Sequence, residues 1–301
     1  MNLKIKSWLN AARLRTLPLS VSGIITGTAI AVKDQVFNGW IFALAILTTL
    51  GFQILSNFAN DYGDGVKGTD NEDRIGPKRA MQSGLLSAKE LKKGMAITVI
   101  ITLAIATLLI YKAFGKENSA YLLLFFLLGV VSIIAAIKYT VGKTAYGYKA
   151  MGDLFVFIFF GLLAVLGSYF LYAKNLYFMV VLPAVTIGLL STAVLNLNNM
   201  RDSESDKKAG KITVPLLLGK EKAKNYHYFL IFGAYISAFC YYYFSETSWY
   251  HYLPLLAFIP LLIHTKKVKY NSEPGLLDPE LKKVALSTFL FSILFLFTLL
   301  F

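Results

Sequence analysis

The sequence predicts an all-α integral membrane protein of nine transmembrane helices with its N-terminus in the cytoplasm. Three observations lead there. Of 301 residues, 56% are hydrophobic and only 16% charged, more apolar surface than a soluble domain of this length can hide. The apolar residues fall into segments that approach the ~20 residues needed to cross the hydrocarbon as a helix. The basic residues gather between alternate segments. No helix–strand alternation is visible, and a backbone in lipid must satisfy its own hydrogen bonds, which favours helices.

The segments lie at about 16–32, 39–58, 94–114, 119–137, 152–173, 176–198, 226–244, 249–264 and 284–301. The first lacks a small-residue cleavage site and is followed by further spans, so it reads as an anchor and not a removed signal peptide. Its Gly23 and Gly27 have the spacing of close helix contact, expected within the bundle. The second and sixth run into carboxylate-rich stretches. The third and fourth are simple spans. The fifth opens at Asp153, whose place beside a helix N-terminus suits the dipole. The seventh ends in Tyr241-Tyr242-Tyr243, which with Trp249-Tyr250 forms an aromatic belt. The eighth is the shortest and carries Pro254 and Pro260. The ninth closes the chain. Cys240 stands alone in an apolar run and reads as a buried structural thiol. His227, His251 and His264 sit near helix ends without metal-ligand spacing and are expected at the interface.

Charge sets the orientation. Lys and Arg number 30 against 17 Asp and Glu. Twenty-six of the 30 lie before the first span or in the connections 61–93, 138–151, 199–225 and 265–283. The positive-inside rule makes that side cytoplasmic. Topology thus accounts for the basic excess, and no nucleic-acid partner is implied. An odd number of spans leaves Phe301 outside. The chain reads as one transmembrane domain, 1–301. A weak internal repeat relates helices 1–4 to helices 5–8, with helix 9 added.

The acidic segments repeat the same pattern. Asn57, Asn60, Asp61 and Asp64 fall within about one third of a helical turn, as do Asn198, Asn199, Asp202 and Asp206. Such oxygens are hard ligands suited to Mg²⁺ accompanied by substrate phosphates. Helix capping alone would explain one cluster, but two with matching Asn positions point to one shared site. Each opens a long cytoplasmic loop, 61–93 or 199–225, and loops of that length are usually functional. Lys67, Arg74, Lys78 and Arg79 follow the first cluster; Lys207, Lys208 and Lys211 follow the second. They suit charge-assisted bonds to phosphate oxygens. An apolar interior behind a diphosphate site suits an isoprenyl diphosphate, whose allylic cation must be shielded from water.

Asn57-x-x-Asn60-Asp61-x-x-Asp64 and Asp202-x-x-x-Asp206 on nine spans resemble the UbiA superfamily of intramembrane prenyltransferases. Lys67-Gly68-Thr69-Asp70, Gln82-Ser83-Gly84, Ala12-Arg13-Leu14-Arg15-Thr16-Leu17-Pro18 and Gly152-Asp153-Leu154-Phe155-Val156-Phe157 extend the likeness over nearly the whole chain. They are similar to its menaquinone-pathway branch. One departure stands out: where superfamily members often carry a third Asp, this chain has Gly68, with Asp70 two residues on.

The resemblance implies that Asp61, Asp64, Asp202 and Asp206 are catalytic and hold Mg²⁺, with Asn57, Asn60, Asn198 and Asn199 assisting. It implies that Lys67, Arg79, Lys208 and Lys211 bind diphosphate, and that Arg13 or Arg15, with Tyr139 and Tyr148, serves the acceptor. The implied partners are a polyprenyl diphosphate, the aromatic acceptor 1,4-dihydroxy-2-naphthoate and the bilayer. The product is demethylmenaquinone, after loss of CO₂ and diphosphate. The implied location is the bacterial cytoplasmic membrane, with the site facing the cytoplasm. Two other readings stand beside it. One is the same chemistry on 4-hydroxybenzoate, homogentisate, haem or a lipid alcohol, since few residues set acceptor choice. The other is a divalent-cation transporter, which favours carboxylates deeper in the spans.

Overall fold

The computed structural model describes residues 3–72, 74–245 and 248–300. Among these there is no strand, only an isolated parallel bridge between Lys149 and Ile212. The helices are α1 (Leu3–Ala12), α2 (Leu17–Lys33), α3 (Gly39–Lys67), α4 (Ala88–Phe114), α5 (Ser119–Lys138), α6 (Gly152–Val156), α7 (Ala164–Ala173), α8 (Val181–Arg201), α9 (Ser203–Lys208), α10 (Val214–Leu218), α11 (Lys220–Phe244), α12 (Ile259–Tyr270) and α13 (Leu277–Leu299). A π-helical stretch, Phe157–Leu163, joins α6 to α7. Seven segments among the described residues are long and apolar enough to cross a membrane: Leu3–Lys33, Gly39–Lys67, Ala88–Phe114, Ser119–Lys138, Gly152–Ala173, Phe178–Arg201 and Pro274–Leu299. The other two expected spans are helical but fall short. α11 begins with charged Lys220, Glu221, Lys222 and Lys224, and Pro254 lies in a 3₁₀ stretch, Trp249–Phe258, that precedes a short α12. Phe301, expected outside, falls beyond the described residues.

The contacts divide the chain into two compact units. The first comprises the chain up to Leu17, 43–152 and 202–213; the second comprises 18–42, 153–201 and 214–301. In the first unit α1, which hydropathy alone does not reveal, packs on α3 and α4. Trp8 meets Phe58 edge-on at 5.3 Å, and Gly94 admits its ring, since a Cβ there would lie 2.6 Å from it. Leu55, Phe58, Ala59, Leu86, Leu91 and Met95 form the buried centre. α4 starts six residues before the expected 94 because Ser87 and Glu90 close a capping box. α3 runs nine residues past the expected 58 and stops at Gly68, whose φ of +72° lets Thr69 N–H reach Asp64 O at 3.0 Å.

In the second unit α2 lies close against α7. Gly23 and Gly27 face Ala164 and Ser168, so the expected small-residue contact is internal. α8 crosses the π-helical stretch where Gly161 meets Gly188. His227 and His264 correct the interfacial expectation: both are fully buried, their Nε2 atoms 2.7 Å apart. His264 Nδ1 lies 2.7 Å from Glu280 Oε2, and Lys283 Nζ donates to both Glu280 oxygens at 2.8 Å. Nothing in the local sequence couples His227 on α11 to His264 on α12.

Candidate active site

Every group of the cluster described next belongs to the first unit. Asn57, Asp61 and Asp64 follow one another at helical spacing on the last turns of α3, and all three are buried. Gly63 sets how closely the next chain approaches. A Cβ there would stand 2.5 Å from Thr140 Oγ1 and 2.8 Å from the Thr140 carbonyl carbon. Thr140 Oγ1 in turn donates to Ala59 O at 2.9 Å.

Asp61 is committed to a turn. Its Oδ2 accepts from Ala80 N–H and its Oδ1 from Met81 N–H, both at 3.1 Å. These amides open the turn through Arg79–Gly84, in which Ser83 N–H reaches Arg79 O at 2.9 Å. A carboxylate at such a place satisfies orphan donors as a helix N-cap does. Arg79 is thereby fixed, and Gln82 helps by accepting from Arg79 N–H at 3.1 Å and donating to Asn71 O at 2.7 Å.

Arg79 and Arg74 share one carboxylate. Asp70 pairs with Arg74 Nη1 through Oδ1, and its Oδ2 lies 3.7 Å from Arg79 Nε. Arg74 Nη2 reaches Asp202 Oδ2 at 3.5 Å, which links the first acidic motif's loop to the second motif. Burial, then repulsion from Arg74, lowers Arg79 to about 10.

A third guanidinium enters from the N-terminal segment. Arg13 has φ +50° and ψ +59°, a left-handed conformation rare without glycine. Asn57 supports it: its Nδ2 donates to Ala12 O at 2.9 Å and to Thr16 Oγ1 at 3.2 Å, and Gln53 braces both. The charges acting on Arg13 are Arg79, Arg74, Asp61 and Asp64.

Tyr148 joins the two acidic motifs. Its hydroxyl donates to Asp64 Oδ1 at 2.7 Å and lies 2.6 Å from Thr69 Oγ1. Burial, then the Asp64 charge, raises its pKa, so the phenol stays a donor. Lys67 Nζ sits 3.8 Å from the ring centroid and Lys211 Nζ 6.0 Å. Lys211 also bonds Asp206 Oδ1 at 3.2 Å. The main chain stitches the same segments together: Ile212 N–H donates to Tyr148 O at 3.2 Å, and Ala150 N–H to Ile212 O at 2.8 Å. Burial pushes Asp206 up to about 6, Lys211 opposes this, and Asp202 and Asp64 add to it.

Does this cluster suit a divalent ion? Among the described residues, no three His, Cys, Asp or Glu groups form a ready metal cage. Carboxylates alternate instead with cations. Asp61, Asp64, Asp70, Asp202 and Asp206 stand against Arg13, Lys67, Arg74, Arg79 and Lys211, five charges of each sign. A lone dication or a lone diphosphate would each leave a large uncompensated charge; the two together largely cancel. Mg²⁺ is commonly held in this way, by one or two carboxylates plus substrate phosphates. Arg13 Nη2 and Arg74 Nε are buried without a hydrogen bond, while Asp70 Oδ2 faces Arg79 Nε at 3.7 Å and Asp206 Oδ2 lies 3.2 Å from Lys211 Nζ. Spare guanidinium donors beside carboxylates held by single cations fit a metal–diphosphate pair.

Several sequence-expected residues lie elsewhere or do something else. The Asn57 amide is spent on Ala12, Thr16 and Gln53, and Asn60 Oδ1 accepts from Thr140 at 3.3 Å. Asn198 and Asn199 belong to the second unit, where Asn198 accepts from Arg201 at 2.8 Å and Arg201 pairs with Asp278. The helix breaks at Asp202, so the second motif does not continue on one face as the first does. Arg15 and Lys208 are exposed. Tyr139 packs edge-on against Tyr146 at 5.3 Å, while Tyr148 takes the place beside Asp64. Asp153 is buried in the second unit beside Tyr226.

Comparison with known proteins gives a consistent picture. The model of the UbiA prenyltransferase family matches residues 20–276. The chain is 44% identical over 300 residues to a 1,4-dihydroxy-2-naphthoate octaprenyltransferase of Haemophilus influenzae, covering 98% of this chain and 96% of that one. It is 42% identical over 293 residues to the Escherichia coli protein of the same name, covering 97% and 94%. Among solved structures, a UbiA homolog from Archaeoglobus fulgidus bound to GPP and Mg²⁺ aligns with a TM-score of 0.68 at 18% identity, over 98% of this chain and 99% of that one. An apo UbiA homolog from Aeropyrum pernix aligns at 0.71 and 15% identity, over 94% and 97%. At such identities these structures speak for the fold alone.

Proposed function

The chain belongs to the UbiA prenyltransferase family, and from that we propose that it transfers a polyprenyl group from its diphosphate to 1,4-dihydroxy-2-naphthoate. The observation that carries the reading is the charge-balanced cluster around Asp64, Arg74, Arg79 and Asp206, in a chain 42% and 44% identical to two enzymes named for that acceptor. The allylic C–O bond breaks and its electron pair leaves with diphosphate. The acceptor's carboxylate-bearing ring carbon supplies the pair for the new C–C bond. Loss of the carboxylate as CO₂ restores the aromatic ring and leaves the reduced form of demethylmenaquinone.

Asp64, Asp202 and Asp206 are the groups that would hold Mg²⁺, which supplies charge neutralisation of the leaving diphosphate. Arg74, Arg79, Lys67 and Lys211 bind the remaining phosphate oxygens. Asp61 keeps Arg79 in register by capping its turn. Tyr148 holds Asp64 in place and presents its ring to the neighbouring cations. Arg13, supported by Asn57, supplies the cation for the acceptor carboxylate. The reading includes nine spans, with α11 and residues 249–270 completing the seven, and both acidic motifs on the cytoplasmic side of a bacterial inner membrane. Basic residues concentrated in alternate connections support that orientation. Purified protein supplied with Mg²⁺, a polyprenyl diphosphate and dihydroxynaphthoate should release CO₂ and prenylated naphthalenediol. Transfer to 4-hydroxybenzoate in its place would overturn the acceptor assignment.

A further inference from the structure

We propose that Asp70 is a positioning residue that spaces Arg74 and Arg79 for diphosphate and is not a metal ligand. The proposal rests on the diphosphate reading of the site. Position 68, one turn beyond Asp64, would continue the acidic face of α3, but it holds Gly68 at φ +72° and the chain turns away. Asp70 therefore comes to the cluster from the loop. Its side chain is 1% exposed, against 5% for Asp202, the other carboxylate that meets Arg74. One oxygen takes Arg74 Nη1, and the other faces Arg79 Nε at 3.7 Å. Two guanidinium groups side by side repel each other, and a buried carboxylate between them offsets that repulsion and fixes their separation. Arg74 still reaches Asp202 through Nη2, so it cannot turn freely about Asp70. Asp70 Oδ2 is directed at Arg79 Nε, and the donor left for a ligand is Arg74 Nε, buried without a hydrogen bond.

The test uses the full-length protein in lipid–detergent micelles, with Asp70→Asn, Asp70→Glu, Arg74→Gln, the Asp70→Asn/Arg74→Gln double variant and Asp206→Asn. Calorimetry with inorganic diphosphate and Mg²⁺ reads binding without turnover. Steady-state kinetics with farnesyl diphosphate gives KM and the Mg²⁺ concentration for half-maximal rate. Asp70→Asn should weaken diphosphate binding and raise KM about tenfold, roughly one charge-assisted contact. Its Mg²⁺ half-saturation at saturating diphosphate should stay within about twofold of wild type. Asp70→Glu, which keeps the charge, should recover most of the binding. The double variant should bind about as weakly as Arg74→Gln alone, as expected when one residue acts through the other. A Mg²⁺ requirement raised as far as in Asp206→Asn, or additive losses in the double variant, would overturn the proposal. Diphosphate binding by Asp70→Asn equal to wild type overturns the role of Asp70 alone. A wild-type protein that binds no diphosphate overturns the reading of the whole site.

Discussion

Replacing Asp61 by Asn separates a metal ligand from a structural cap, because the two roles predict different behaviour before any metal is added. In the structure both Asp61 oxygens accept backbone N–H bonds at 3.1 Å, from Ala80 and Met81. Hydrogen bonds to a charged group contribute about 1.5–3 kcal/mol each. Asn keeps one acceptor oxygen but turns an NH₂ toward the other amide and removes the charge. The loss should therefore be roughly one charged bond, about 2 kcal/mol, or about thirtyfold in the local opening equilibrium. Amide hydrogen exchange of the metal-free protein measures this directly, since exchange of a protected amide follows local opening. Ala80 and Met81 should exchange about thirtyfold faster in Asp61→Asn, while amides in the middle of α4 are unchanged. If both amides keep wild-type protection in the metal-free variant, the capping argument fails and Asp61 returns to the pool of metal ligands.

Gly63→Ala places a methyl 2.8 Å from the Thr140 carbonyl carbon and should cost about 1–3 kcal/mol by overpacking, seen as a lower Tm with a raised KM for prenyl diphosphate. An unchanged Tm would contradict the close approach. Glu280→Gln weakens the bonds to His264 and Lys283 and should destabilise by about 1–2 kcal/mol, the loss of a charge-assisted hydrogen bond to a partly exposed partner; thermal unfolding in detergent reads it. Removing divalent cations with EDTA should abolish transfer and leave helical circular dichroism intact, with activity restored by Mg²⁺.

The helices were legible where hydropathy marks them. Apolar runs are long because the hydrocarbon is thick, so the expected segments 16–32, 119–137, 152–173 and 176–198 match observed helices to within three residues at both ends. Ends were harder. α3 continues through Asn57–Lys67 because polar residues on a helix carry no hydropathy signal, and only Gly68 marks its stop. α1 is ten residues of mixed Lys and apolar character, too short for a span and visible only through what Trp8 covers. In the site, carboxylate spacing on α3 revealed Asp61 and Asp64, but spacing cannot tell that Asp61 faces Ala80 and Asp64 faces Tyr148. The roles of Asn57 and the His227–His264 pair depend on partners 45 and 37 positions away in sequence, and that of Asp70 on a loop's path, and no local pattern encodes those.

The pairing of Tyr148 with Ile212 has a consequence for biosynthesis. Between these residues lie α6, α7, α8 and α9, all of which are synthesised before Ile212. Until then Lys211 and Asp206 are absent, and the Tyr148 ring and Asp64 wait without them. A nascent chain arrested before position 212 should be inserted and helical yet inert toward prenyl diphosphate. Competence then cannot precede synthesis of the 202–213 segment that completes the first unit, which spares the membrane a half-built catalyst that could release a reactive cation to water.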